Sequence, residues 1–159
     1  MIHLVTQLEQ AIRQAMGQYF RLVILAGTPG SGKTAALQVA AKKVRCELVN
    51  VNLELSKKML ELTRTQRSHQ VERLLKEVIA AQPGDVVILD NLEILFDIDL
   101  EVEPLRLLQV SSRNRTIVAS WNGSFVDGTL TYAEPGHPEF IQFKQTEAIV
   151  LQVGAAENN

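Results

Sequence analysis

Gly27-Thr28-Pro29-Gly30-Ser31-Gly32-Lys33-Thr34 decides how the rest of the chain is read. The eight residues fit G-x-x-x-x-G-K-[ST], the pattern of a loop that cradles phosphates. Each residue type has a physical task. The glycines admit positive φ and let backbone N–H groups come up against phosphate oxygens. Lys33 puts a point charge on the β- and γ-phosphates of a nucleotide, and the Thr34 hydroxyl reaches the magnesium ion that bridges them. A helix starting here adds the positive end of its dipole. The flanks agree. Leu22-Val23-Ile24-Leu25-Ala26 is an unbroken apolar run of strand length, as a buried parallel strand should be. Ala35 to Val44 is a run of good helix formers. A bare β–α turn needs one or two glycines and does not need Gly-Lys-Thr at the helix start. Residues 27–34 are the expected nucleotide-binding residues, with ATP and magnesium as cofactors.

A second signature follows. Asp85-Val86-Val87-Ile88-Leu89-Asp90 is an apolar strand ending in a carboxylate. Such a strand carries Asp90 to the sheet's carboxyl edge beside Thr34, where the two are expected to hold magnesium. Between the signatures, Glu47 to Asn52 alternates as a strand and Leu53 to Leu62 can form a helix. Thr63 to Arg67 reads as an exposed polar connector. Ser68 reads as the N-cap of a helix with Val71, Leu74, Leu75, Val78 and Ile79 on one face, ended by Pro83-Gly84. Beyond Asp90, an acidic stretch over 97–103 precedes a helix that begins near Pro104. Thr116 to Ser120 is a further buried strand leading to Trp121-Asn122-Gly123. Thr129–Tyr132 and Phe140–Phe143 flank Glu134-Pro135-Gly136-His137-Pro138 as a hairpin, and Ala148 to Val153 is a last apolar strand.

At 159 residues and 46% apolar, the chain is sized for one ordinary domain with a full core. That domain is expected over 1–153, with a helix at 2–16, a hairpin-like tail at 128–153 and a frayed end at 154–159. No run has the length of a membrane span, and no apolar leader is visible near the start. A single cysteine, Cys46, permits no internal disulfide and suits a reducing cytoplasm. The net charge of −2 hides an asymmetry: residues 1–80 carry 12 Lys/Arg against 6 Asp/Glu, and residues 81–159 carry 4 against 12. The basic half could meet DNA or another acidic partner, or be a solvated helical surface. No aromatic residues are interleaved with its cations, which leaves a stacking platform for single strands unsupported.

Strands alternating with helices give an α/β fold: a five-stranded, mostly parallel sheet with helices on both faces, three layers in all. A helix-and-strand layer between the two signatures, then a strand ending in a polar residue, resembles the AAA+ and related ASCE branch of P-loop ATPases. That resemblance implies an inserted strand between the phosphate-loop strand and the Asp90 strand. It also makes Asn122, or secondarily Ser120, the sensor that contacts the γ-phosphate or the attacking water. Asn122 could equally serve the turn before Gly123. Residues 50–58 (NVNLELSKK), 89–97 (LDNLEILFD), 112–116 (SRNRT) and 120–123 (SWNG), taken with the phosphate loop, resemble the BrxF family, the small P-loop proteins of type III BREX systems. That implies a phage-defence complex with a DNA methyltransferase, a large ATPase and a phosphatase-like protein as partners.

The chain departs from the AAA+ pattern in three places. Where those proteins place Glu directly after the Asp, this one has Asn91, and an amide cannot accept a proton from water. Glu93 and Glu54 are the carboxylates that could act instead. No arginine follows Arg115, so neither an arginine finger nor a lid arginine is visible after the sensor strand; Arg113 and Arg115 precede it. The hairpin-like tail stands where a helical lid is expected. These departures predict slow hydrolysis by the chain alone, faster with a second copy or a partner. They also leave open a degenerate P-loop scaffold that binds without turnover. A small-molecule kinase fits poorly, because residues 116–159 contain no arginine for a lid. Tyr19, just before the first strand, is a candidate to pack on adenine or in the core.

Overall fold

A computed structural model describes residues 1–154; the frayed end expected over 154–159 lies, apart from Gly154, outside the described residues. The chain runs α1 (Ile2–Ala15), β1 (Leu22–Gly27), α2 (Lys33–Val44), β2 (Leu48–Asn50), α3 (Val51–Met59), α4 (Arg64–Ala80), β3 (Val86–Asp90), α5 (Pro104–Ser111), β4 (Thr116–Val126), β5 (Thr129–Tyr132), β6 (Ile141–Phe143) and β7 (Ile149–Gln152). Five strands pair in the order β2-β3-β4-β1-β7, and every neighbour in that series is parallel. The strand after Asp90 is thus inserted between β1 and β3.

The period-two alternation of β1 sorts the core. Leu22, Ile24 and Ala26 join a cluster with α3, α4 and α5, while Val23 and Leu25 join one with α1 and α2. Helices therefore cover both faces. All six residues of β1 are buried, and a fully buried aliphatic side chain contributes about 1.5–3 kcal/mol. This central strand anchors the phosphate loop that follows it.

Several elements begin or end elsewhere than the pattern suggested. The Asn50 side chain accepts the Leu53 N–H at 3.1 Å, ending β2 and starting α3 two residues early. The polar connector at 63–67 is helical: Thr63, not Ser68, caps α4, in a capping box with Gln66. β4 runs on to Val126, past the expected stop at Ser120. Its far half pairs antiparallel with β5 through Asp127-Gly128, whose φ values of 50° and 78° suit a two-residue hairpin turn. β6 pairs antiparallel with β5, so the tail is a three-stranded extension of the sheet. Gly123 sits where it begins: a Cβ there would lie 1.7 Å from the Thr131 carbonyl oxygen.

Among the described residues, no helix is long and apolar enough to cross a membrane.

Candidate functional site

The carboxyl ends of β1, β3 and β4 meet at one edge of the sheet, and the loop grows from the first. At Gly27 a Cβ would stand 2.6 Å from Ser31 Oγ and 3.1 Å from Val153 Cβ, so a side chain there would displace the Ser31 hydroxyl. Gly30 and Gly32 take φ of +79° and +101° with open space around them, which brings the chain over into α2. Lys33 opens that helix and is 6% exposed. Its Nζ turns back on its own loop, donating to the Gly27 and Thr28 carbonyls at 2.7 and 2.8 Å. Burial pulls the Lys33 ammonium below its ordinary pKa, against the opposing attraction of Asp90 and then Glu93.

Thr34 Oγ1 donates to Asp90 Oδ2 at 2.7 Å, which places the ends of the two signatures side by side. The chain then turns sharply: Asn91 has φ of 55°, in the left-handed region. That turn leads into a short 3-10 segment, Glu93–Phe96. The Glu93 carboxylate is held from two sides, by Asn122 Nδ2 at 2.6 Å and Asn52 Nδ2 at 2.8 Å. Asn122 is aligned with Gly27 across the β1–β4 pairing. Asn52 also accepts the Ile94 N–H on its side-chain oxygen, at 2.8 Å, and gives its own backbone N–H to the Asn91 carbonyl at 2.8 Å. Asn52 was not singled out from the sequence. Its only signal there is a second Asn close behind the strand-ending Asn50.

Two cavities flank the loop. One, of about 640 Å³, is lined by Thr28, Pro29, Glu93, Asn122 and Tyr132 among others. The second, of about 280 Å³, lies between the start of α1 and the end of β7, with Ser31, Gly32, His3, Gln7 and Gln152 in its wall. The residues fit a nucleotide with magnesium. Ser31 Oγ is buried without a partner, and the glycine cradle is open. Thr34 and Asp90 offer hard oxygen donors of the kind magnesium takes alongside phosphates and water.

Tyr19 and Arg115 lie away from the phosphate loop, at the opposite edge of the sheet. Tyr19 lies at the sheet's amino edge, where the Arg113 guanidinium stacks on its ring at 3.6 Å. The length of β1, about 20 Å at 3.3 Å per residue, separates it from the loop, so it does not pack on a base there. Arg115 is at the same edge, donating to the Ile79, Gln82 and Gly84 carbonyls at 2.8, 2.8 and 2.6 Å. Its fork is committed to its own chain. Glu54 lies in the first turn of α3 and forms no hydrogen bond or ion pair among the described residues. It is Asn122, and not Ser120, that bonds to Glu93.

The model of the ATPase family associated with various cellular activities (AAA) matches residues 23–107. No curated protein matches the chain. Similar solved structures include a DNA replication initiation factor, at 14% identity and a TM-score of 0.48 over 95% of this chain and 44% of that one. AMPPCP-bound DnaA from Aquifex aeolicus is 16% identical, with a TM-score of 0.47 over 91% of this chain and 43% of that one. PCH-2 of C. elegans is 18% identical, with a TM-score of 0.46 over 96% and 42%. The chain spans less than half the length of each.

Proposed function

The chain belongs to the AAA family of ATPases, and on that premise we propose that it binds ATP with magnesium at residues 27–34 and, by itself, hydrolyses it slowly. The observation that carries this reading is the Glu93 carboxylate, fixed by two amides in the wall of the cavity that Thr28 and Pro29 also line. Lys33 would lie against the β- and γ-phosphates, and Thr34 with Asp90 would hold magnesium, which when bound offsets charge on the phosphates. Glu93 takes the task that Asn91 cannot: it orients a water and accepts its proton. Asn122 holds that carboxylate in place.

Slow turnover follows from the cations. An arginine finger contributes about 10³–10⁵ in rate, and Arg113 and Arg115 are engaged at the far edge of the sheet. The finer reading, membership of a type III BREX phage-defence complex with its large ATPase, methyltransferase and phosphatase-like protein, rests on the resemblance of residues 50–58, 89–97, 112–116 and 120–123 to the BrxF family. A second reading is a scaffold that uses nucleotide for shape and not for work. It is favoured by the internal satisfaction of Lys33 and Thr34, which lets the loop keep its form unaided. Direct DNA contact is a further reading, in which the exposed Lys58, Arg64, Arg73 and Lys76 would exchange their neighbouring carboxylates for phosphates.

The test is magnesium-dependent ATP binding and turnover by the chain beside Lys33→Ala and Glu93→Gln. Lys33→Ala is expected to lose binding. Glu93→Gln is expected to bind ATP and lose about 10² or more in turnover. Equal turnover in Glu93→Gln and the parent would remove Glu93 from the chemistry; tight binding with no turnover in the parent would favour the scaffold.

A further inference from the structure

Tyr132 comes from the antiparallel extension, which the proposed chemistry leaves without a task. It is paired with Gly123, the residue after Asn122, and the following Ala133 N–H donates to the Asn122 carbonyl at 2.9 Å. Its ring stacks on Phe96, with centroids 3.4 Å apart and planes 5° from parallel. Phe96 closes the same 3-10 segment that Glu93 opens. One short segment therefore fixes both the carboxylate and the surface on which the tyrosine lies.

The residue is 5% exposed. A phenol so buried ordinarily has a hydrogen-bond partner, yet among the described residues the Tyr132 hydroxyl has none. The unpartnered side-chain atoms fully sealed from solvent are Ser31 Oγ and Arg115 Nε. The Tyr132 hydroxyl is not one of them, and the residue lines the 640 Å³ cavity with Thr28, Pro29, Glu93 and Asn122. An unused polar group thus opens onto the flank of the phosphate loop where the Glu93 carboxylate stands. Burial pushes the phenol pKa up, and the charges of Glu93 and Glu139 push it the same way. At neutral pH the hydroxyl keeps its proton and can donate it. Donors are scarce on this flank, since Asn122 gives its amide N–H to Glu93.

We propose that the Tyr132 hydroxyl donates a hydrogen bond to the terminal phosphoryl group of bound ATP, a contact made from within the chain. This rests on the nucleotide-binding reading above. The proton stays on the tyrosine, and the role is to hold the terminal phosphoryl group and its charge.

The experiment compares affinities for ADP and for the non-hydrolysable ATP analogue AMPPCP, both with magnesium, in the parent chain and in Tyr132→Phe. The substitution removes the hydroxyl and keeps the ring on Phe96; equal melting temperatures would establish that the packing is intact. The expected result is unchanged ADP affinity with AMPPCP weakened about tenfold or more, the worth of one hydrogen bond to a charged group. Affinities for both ligands that stay the same, or fall together, would overturn the tyrosine's role and leave the nucleotide site standing. A parent chain that binds neither ligand would overturn both readings.

Discussion

Asn52 ties the start of α3 to the segment after Asp90 through three hydrogen bonds, each of 2.8 Å: to the Glu93 carboxylate, from the Ile94 N–H and to the Asn91 carbonyl. The first two belong to the side chain, so Asn52→Ala releases one side of Glu93 and leaves the Ile94 N–H unpartnered. ATP affinity should hold, because the phosphate loop is untouched. Turnover should fall by up to about 100-fold, the scale of a small misplacement of a reacting group; binding and single-turnover measurements on one preparation separate the two. Asn52→Asp is more informative. A second carboxylate beside Glu93 disfavours its charged form and raises its pKa. The pH at which turnover appears should therefore shift upward, and further than in Asn52→Ala, which only removes a hydrogen bond to the same carboxylate. A pH–rate profile that does not move would mean that Glu93 is not the base. The two signatures and Glu93 could be read from residue types and local order, but Asn52 could not. It meets Glu93 across 41 positions, and nothing local says that Asn50 caps a helix while Asn52 reaches the carboxylate.

The elements that differ from the sequence reading do so where a tertiary partner or a cap outweighs the local pattern. β4 reads as a strand ending at a polar turn, yet it continues because β5 folds back on it and a backbone approach at Gly123 leaves no room for a side chain. Gly123→Ala should therefore cost about 3 kcal/mol or more, the upper end for overpacked sites, as read by denaturant unfolding. It should also disturb Tyr132, whose place depends on that pairing. A substitution that left stability intact would show that the extension is loosely joined to the sheet. Thr63→Ala removes the cap that begins α4 earlier than Ser68 suggested, with an expected loss of about 1 kcal/mol. Both signals were present locally, a Gly in an apolar strand and a Thr three residues before a Gln. Each was outweighed in the reading by a more familiar alternative nearby.

Across the whole molecule, the parallel order of the strands separates two edges with different tasks. The carboxyl edge gathers the phosphate loop, Asp90, Glu93 and Asn122. The amino edge gathers arginines: Arg21 pairs with Asp85, Arg113 stacks on Tyr19, and Arg115 binds three carbonyls. The insertion of β4 between β1 and β3 was implied by the resemblance to AAA+ proteins, and the meeting of the signatures was legible because apolar runs and loop chemistry are local. The edge to which each arginine belongs was legible only once strand direction was combined with position, since a residue before a strand of this sheet lies about 20 Å from one after it. An arginine at the amino edge cannot reach the phosphates of its own chain. Arg21, Arg113 and Arg115 are thereby excluded, and a guanidinium supplied by another copy or by a partner predicts how rate depends on concentration. Turnover per chain should rise with protein concentration if copies supply the cation to one another. It should stay flat and low, and rise on adding a partner, if they do not. In either case, dilution should leave a basal rate far below about 1 s⁻¹, the lower end of ordinary enzyme turnover. A dilute chain that sustains turnover near or above that rate would show that the described residues complete the site unaided, with Lys33, Asn122 and Tyr132 sufficient for the charge that develops on the phosphates.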